Sequence, residues 1–444
     1  MPAPHPDDTH IWNGLDGLRG EPFRGAAEPA AVGRALLAGR ERMQFGGSKA
    51  RSRAPGYERW GVAFGPGALE LREALEPLIA WRRQRFGERV GEFELVPEAA
   101  TRKGLGLVPL GAARDEVTDP DYLLLVGEPE GLPWERQYAF DQARSVGRLD
   151  FATPDDYERY ARGVVAAESG RRRRQRSWAL AGPRFAGDRA TELSADELLA
   201  PLAEALTDEP DWSLIAEIGA GATKDRIRSL LGGSEAPALV FLASHGLAFP
   251  AADERQAAGQ GAVVCADWPG TGMSGGHFLA AEDIDDELDV AGLIVFAFGC
   301  CTAGTPAVEG FAPALGRAEP APLAPSAFVS ALPRRLLTHP RGGALAFIGH
   351  VDLAWPYSYR LDGGREVYRE ALRGLLEGRR VGDALHGFGA RYGDILHELH
   401  EALEGERGDV DPRWLGILWI AARDARSYVL IGDPAVRLAV PRRP

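Results

Sequence analysis

Cysteine is scarce in this sequence of 444 residues, which contains only Cys265, Cys300 and Cys301. So small and odd a number does not make a disulfide framework. A bridge between the adjacent Cys300 and Cys301 would close a strained ring. We therefore expect free thiols and a protein of a reducing compartment, the cytoplasm.

Long apolar runs and an excess of positive charge are also lacking. No window approaches the ~18 uninterrupted apolar residues of a membrane span. The segment from Met1 to Asp8 has no basic region followed by an apolar one, so it does not predict a signal peptide. The 51 Lys and Arg against 64 Asp and Glu give a net charge of −13, which argues against a nucleic-acid-binding surface. No cluster with the spacing of metal ligands is apparent, and we expect no metal and no cofactor.

The chain length predicts two or three domains. Residues 1–55 are rich in Gly, Ala, Pro and charge, which predicts a poorly ordered or loosely docked leader with one short helix from Ala30 to Met43. Strands that alternate with helices then predict an α/β fold with a mainly parallel sheet. They form an N-terminal α/β subdomain at residues 56–165 and a second α/β subdomain at residues 177–444.

Two continuously apolar runs in the second unit each end in a reactive side chain. Leu239 to Ala243 is followed by Ser244-His245-Gly246, and Leu293 to Gly299 is followed by Cys300. Continuous apolar runs are typical of buried strands in a parallel sheet, and chemistry gathers at the carboxyl ends of such strands. If the two strands are neighbours, His245 and Cys300 project into one crevice, as a thiol nucleophile and its base require.

The order of an apolar strand, His-Gly, a hairpin at residues 260–270 and an apolar strand ending in Cys resembles the caspase-like cysteine peptidases, among them the gingipain-type and CHAT peptidases. The resemblance extends from Tyr57 to Leu438, and its specific part runs from His245 to Pro306. It implies a caspase-like three-layer α/β/α fold of two α/β subdomains. It also implies a cysteine endopeptidase that cleaves protein or peptide substrates through a thioester.

The resemblance assigns a role to each residue at the end of the two strands. Cys300 is the nucleophile, and His245 donates a proton to the leaving amine. The backbone N–H groups of Gly246 and Cys300 form the oxyanion hole. Cys301 is the competing nucleophile, and a helix beginning at Thr302-Ala303-Gly304 would lower the pKa of the thiol. The alternative function is a catalytically silent scaffold that binds a protein partner through the same crevice.

Specificity and orientation depend on acidic residues whose simpler interpretation is a solvated loop carboxylate. Gingipain-type enzymes select Arg or Lys, and Asp141 lies in the zone that carries their acidic residue. Asp267, beside Trp268 in the hairpin, is a second candidate for substrate binding. Glu128 follows a central strand and could orient His245.

The run Arg171-Arg172-Arg173-Arg174-Gln175-Arg176 is the strongest cluster of charge. The simplest interpretation is a solvated loop between the two α/β units. Nucleic-acid binding runs against the overall charge. A peptidase specific for basic residues would instead cleave its own chain here, after Arg174 or Arg176.

Overall fold

The computed structural model describes residues 13–22, 28–39, 58–97, 106–110, 119–317, 319–404 and 410–441. The strands in these ranges are, in chain order, β1 (Gly14–Asp16), β2 (Glu21–Pro22), β3 (Trp60–Phe64), β4 (Val90–Leu95), β5 (Leu107–Pro109), β6 (Tyr122–Val126), β7 (Ser145–Leu149), β8 (Gln175–Gly182), β9 (Ser213–Ile218), β10 (Pro237–Ala243), β11 (Gly246–Ala248), β12 (Val263–Val264), β13 (Phe278–Leu279), β14 (Ile294–Phe298), β15 (Gly304–Thr305), β16 (Phe328–Val329), β17 (Ala346–His350) and β18 (Tyr428–Gly432).

The α-helices pack around these strands. They are α1 (Pro29–Gly39), α2 (Glu76–Phe86), α3 (Trp134–Asp141), α4 (Pro154–Glu168), α5 (Arg189–Leu193), α6 (Ala200–Leu206), α7 (Lys224–Gly232), α8 (Gln256–Gly259), α9 (Ala331–Leu337), α10 (Tyr357–Arg360), α11 (Gly364–Leu376), α12 (Val381–Ala384), α13 (His386–Glu404) and α14 (Pro412–Arg426).

One sheet organises both predicted α/β units. Eleven of the described strands form it, in the order β5-β4-β3-β6-β7-β18-β17-β14-β10-β8-β9. Neighbouring strands are parallel except for the pairs β4–β5 and β17–β18. Apolar side chains are buried on both faces of the sheet. For example, the adjacent residues Val62 and Ala63 of β3 belong to two different hydrophobic clusters. The predicted α/β fold with a mainly parallel sheet is confirmed.

The antiparallel pair β17–β18 reverses the direction of half the sheet. Strands β4, β3, β6, β7 and β18 run one way, whereas β17, β14, β10, β8 and β9 run the other. The carboxyl ends of the first unit's strands therefore lie at the edge opposite to those of the second unit.

The described parts of the leader are packed against the second unit. Strand β1 joins a smaller sheet, of order β13-β12-β11-β1-β2. Helix α1 packs on α14 at two glycines, because a Cβ on Gly33 would lie 1.7 Å from the Pro412 carbonyl oxygen and one on Gly416 1.8 Å from that of Pro29. Residues 13–22 and 28–39 are thus docked closely, while most of the predicted leader lies outside the described residues.

A buried ion-pair network connects the two units. The fully buried guanidinium of Arg82 on α2 donates to Asp433 at 2.8 Å and to both carboxylate oxygens of Glu168 at 2.7 and 2.8 Å. The indole N–H of Trp60 donates to the other Asp433 oxygen at 3.0 Å. Burial opposes the charged form of Arg82, but the two carboxylates outweigh it and raise its pKa above the ordinary value. The Gly-Asp-Pro turn after β18 is held to the first unit by this network.

Replacing Arg82 by methionine should lower the free energy of unfolding by about 3–5 kcal/mol, because it leaves two buried carboxylates without their cation. Urea unfolding of both proteins measures the loss. The matched control is Arg83→Met on the same helix. Arg83 pairs with Glu76 and Glu92, and its side chain is 45% exposed. The control should lose less than about 1 kcal/mol. Equal losses in the two variants would contradict this account of the network.

Candidate active site

Strands β10 and β14 are parallel neighbours, with Ala243 opposite Phe298. The predicted adjacency of the two apolar runs is therefore confirmed. The loops that follow them, residues 244–246 and 299–301, leave the sheet side by side at its carboxyl edge. Strand β17 pairs with the other side of β14, and its loop, residues 351–354, reaches the same edge.

The first two of these loops are in backbone contact. A Cβ on Gly246 would lie 1.9 Å from the Cys300 carbonyl oxygen, so only glycine fits at this position. The N–H groups of Gly246 and Cys300 both donate to one acceptor, the carbonyl oxygen of Asn13, at 3.0 and 2.8 Å. Two backbone donors at this distance from one carbonyl oxygen have the geometry of an oxyanion hole.

The Cys300 side chain is fully buried beside this pair of donors. Its Sγ accepts the backbone N–H of Ala354 at 3.2 Å. Burial, together with the neighbouring Cys301, raises the pKa of the Cys300 thiol well above its ordinary value. The buried surroundings therefore favour the neutral thiol of Cys300 over the thiolate.

The adjacent Cys301 has a left-handed backbone with φ of 57°. Its Sγ accepts a hydrogen bond from the Gln260 amide at 3.6 Å, and burial raises its pKa to about 12. The Cys301 side chain lines a cavity of about 280 Å³ whose lining does not include Cys300. The two thiols thus face different surroundings, and the thiol beside the paired N–H donors is that of Cys300.

The predicted helix at Thr302-Ala303-Gly304 is wrong, because a turn leads there into the short strand β15. The Thr302 hydroxyl donates to the carbonyls of Ala297 and Gly299 and accepts the N–H of His350. These bonds fix the loop in place of a helical turn. No helix dipole at this position is available to lower the pKa of the Cys300 thiol.

His245 forms a buried pair with Asp188, whose Oδ2 lies 2.6 Å from Nε2. An ionised carboxylate can only accept, so Nε2 carries the proton in this bond. Nδ1 has no hydrogen-bond partner among the described residues. In a neutral imidazole this atom is therefore the free base.

Asp188 is kept ionised by its neighbours. Burial opposes the charge, but the attraction to His245 and the hydrogen bonds from His245 and Thr191 outweigh it, and the pKa of Asp188 is lowered. Asp188 follows β8, which pairs with β10, so both residues lie at the same edge of the sheet. Sequence reasoning missed Asp188, because only the order of strands in the sheet shows that the strand before it lies next to β10.

Trp268 packs against the His245 side of the site. Its ring meets that of His245 edge to face, with the centroids 6.3 Å apart, and meets Phe185 in the same way at 4.8 Å. The indole N–H donates to the Gly272 carbonyl. The predicted substrate-binding residue Trp268 thus forms an aromatic wall beside the His245 ring.

The predicted acidic residues have other surroundings. Asp141 lies in a small separate cavity with Gln137 and Phe388, and burial raises its pKa to about 7. Asp267 is exposed and accepts the backbone N–H at the start of α7. Glu128 follows β6, whose carboxyl end lies at the edge opposite to that of β10. The carboxylate that His245 contacts is that of Asp188.

The basic run is not a uniformly solvated loop. Arg171, Arg172 and Arg173 are exposed, but Arg174 is buried and donates to the carbonyls of Ala291, Pro237 and Leu231. Arg176 lies inside β8 and donates to the Pro441 carbonyl at 2.8 Å. A cut after Arg174 or Arg176 would require this part of the sheet to open first.

Within the described ranges no group of three or more His, Cys, Asp or Glu side chains is placed to hold a metal ion. The helices described there include none of the length and apolarity needed to cross a bilayer.

Two solved structures are similar to this chain. The complex of the pro- and mature domains of RgpB from Porphyromonas gingivalis is 14% identical, with a TM-score of 0.49, over 86% of this chain and 79% of that chain. A structure described as a protease is 12% identical, with a TM-score of 0.49, over 87% of this chain and 79% of that chain. No family model and no curated protein matches the sequence. The chemistry of the site therefore rests on its own geometry.

Proposed function

We propose that this chain is a cysteine endopeptidase of the caspase-like group, with Cys300 as nucleophile and His245 as its acid–base partner. The observation that carries the proposal is the convergence of the Gly246 and Cys300 N–H groups, at 3.0 and 2.8 Å, on one carbonyl oxygen. Such donors stabilise the oxyanion of acyl transfer by roughly 3–4 kcal/mol each. They belong to the two loops that also carry a buried thiol and the histidine of a His–Asp pair, which are the other components of acyl transfer to sulfur.

The reaction proceeds in two steps. Nδ1 of His245 takes the Cys300 proton as Sγ attacks the substrate carbonyl carbon, and the oxyanion is held by the two N–H groups. The amine leaves with the proton from His245, and a thioester remains on Cys300. Water then attacks the thioester, which releases the carboxylate product and restores the thiol.

The predicted preference for Arg or Lys before the scissile bond stays a prediction. It was based on Asp141 and Asp267, and the described contacts of these carboxylates give it no support.

A catalytically silent scaffold is the second candidate, and the burial of both thiols favours it. The two functions differ in one measurement. A peptidyl electrophile should label Cys300 of the peptidase, and mass spectrometry locates the adduct. We expect Cys300 to be labelled in the full chain or in a chain that lacks residues 1–16. If neither chain is labelled, the scaffold function is supported instead of the peptidase.

Asp188→Asn should lower turnover by about 10- to 10²-fold, because the amide no longer fixes the proton on Nε2 of His245. The matched control is Asp196→Asn, an exposed carboxylate that pairs with Arg184. Turnover close to that of wild type is expected of the control. Equal turnover of the Asp188 variant and wild type would contradict the role of Asp188.

The stability difference between wild type and Asp188→Asn should depend on pH. The pKa of Asp188 is lowered in the folded chain, so its ionised form contributes stability above its ordinary pKa of ~3.9. That contribution is lost as the pH falls through the lowered value. Urea unfolding should show the full difference between wild type and Asp188→Asn at pH 6, and a shrinking difference below about pH 4.

A further inference from the structure

The cleft of the proposed peptidase is occupied by a segment of the chain itself. The carbonyl oxygen of Asn13 accepts the N–H groups of Gly246 and Cys300, and the Asn13 N–H donates to the Ala354 carbonyl at 2.9 Å. Ala354 in turn donates its N–H to Sγ of Cys300. The backbone of Asn13 is therefore held on one side by the two loops that carry the nucleophile and the oxyanion donors, and on the other side by the loop after β17.

The residues after Asn13 continue in an extended conformation. Gly14, Leu15 and Asp16 pair in parallel with residues 246–248 of β11. The Leu15 side chain is fully buried in a cluster that includes Leu247 and Trp268. Addition of a strand to an existing sheet is a common way for a protein to hold an extended peptide. Residues 13–16 are thus bound as a peptide substrate would be bound.

The position of Asn13 identifies the bond that would be cut. The carbonyl in an oxyanion hole belongs to the acyl group that the nucleophile attacks. The corresponding peptide bond joins Asn13 to Gly14. The neutral side chain of Asn13 is fully buried, and its amide has no hydrogen-bond partner among the described residues. The backbone contacts therefore hold the segment, and the position before the bond accepts an uncharged side chain.

We propose that residues 13–16 are an internal substrate, which blocks the cleft until Cys300 cleaves the Asn13–Gly14 bond of its own chain. This inference rests on the proposed function. Sγ of Cys300 attacks the Asn13 carbonyl carbon, and its proton passes through His245 to the departing amine of Gly14. Water hydrolyses the thioester, which leaves a carboxylate on Asn13, a new amino terminus at Gly14 and the free thiol. Substrates that follow are extended peptides with an uncharged residue before the scissile bond.

The test compares wild type with Cys300→Ala by intact-mass measurement and N-terminal sequencing after incubation at neutral pH. Wild type should yield a chain that begins at Gly14, and Cys300→Ala should stay uncut. The Cys300→Ala chain also controls for spontaneous chemistry at an Asn-Gly bond, which does not need the thiol. Cleavage of both chains at the same rate would overturn the proposal.

Two substitutions of Asn13 separate backbone from side-chain effects. Asn13→Ala keeps all three backbone hydrogen bonds and should still be cut. Asn13→Pro removes the N–H that donates to Ala354 and should reduce the cut at least tenfold. Equal cutting of the two variants would show that Asn13 does not lie in the cleft as described.

A chain that lacks residues 1–16 separates this inference from the proposed function. With the cleft open, a peptidyl electrophile with an uncharged residue next to its reactive group should label Cys300 at least tenfold faster than in wild type whose segment is still uncut. If the shortened chain is labelled while wild type stays uncut, the internal substrate is excluded and the peptidase stands. If neither chain is labelled or cut, the proposed function itself fails. Circular dichroism of each variant verifies the fold, and the two Asn13 variants give an answer even if the shortened chain does not fold.

Discussion

Cys300→Ala should abolish both peptide hydrolysis and labelling by a peptidyl electrophile. The substitution removes one sulfur atom and nothing else, and it leaves the Cys300 N–H donor in place. Only oxyanion stabilisation and substrate binding would remain to support a residual rate. Turnover should therefore fall by about 10⁶-fold, as it does when other hydrolases lose their nucleophile. Hydrolysis of a fluorogenic peptide panel measures the loss, in the full chain and in the chain that lacks residues 1–16.

The matched control for this prediction is the neighbouring residue. Cys301→Ala removes a thiol of similar burial that faces the 280 Å³ cavity and does not accept the Ala354 N–H. It should keep a measurable fraction of the wild-type activity. An inactive Cys301→Ala beside an active Cys300→Ala would reverse the assignment of the nucleophile.

The sequence predicted the strands that carry the site because their signal is local. A continuous run such as Leu239 to Ala243 can be satisfied only by burial on both faces, and the structure buries every residue of β10 and β14. The reactive residues follow directly after these runs. Their common edge could therefore be predicted once the two strands were taken as neighbours.

The partner of His245 could not be chosen with the same reasoning, because it depends on the order and direction of strands. Glu128 and Asp188 both follow apolar strands, and only the sheet order shows that β8 lies beside β10. The reversal at β17–β18 then moves the end of β6 to the far edge. A pattern of alternating strands and helices predicts parallel pairing within each unit, but it carries no signal for the direction in which two units join.

The occupant of the cleft was beyond sequence reasoning for another reason. Asn13 lies more than 200 residues before Gly246 and Cys300 in the chain, and it meets them through backbone groups that every residue possesses. Composition predicted a loosely docked leader, since residues 1–55 offer little apolar periodicity. The contacts that hold residues 13–16 are the backbone hydrogen bonds of Asn13, a strand pairing and one buried leucine, which leave almost no pattern in so short a segment.

His245→Ala should lower turnover by ~10²–10⁴-fold, the range for loss of a positioned acid or base. In the proposed mechanism the imidazole both accepts the Cys300 proton and returns it to the leaving amine. Asp188 contacts Nε2 rather than the unpaired Nδ1, so its carboxylate does not occupy the position of the proposed base. Trp268 supplies no titrating group.

The effect on labelling should be smaller than the effect on amide hydrolysis. A peptidyl electrophile with a good leaving group does not need a proton from His245 for its departure, whereas the amine of a peptide does. The ratio of the two losses, measured on the same variant, therefore reports proton donation to the leaving amine separately from activation of the thiol. Wild-type turnover of His245→Ala would show that the buried His245–Asp188 pair only supports the fold.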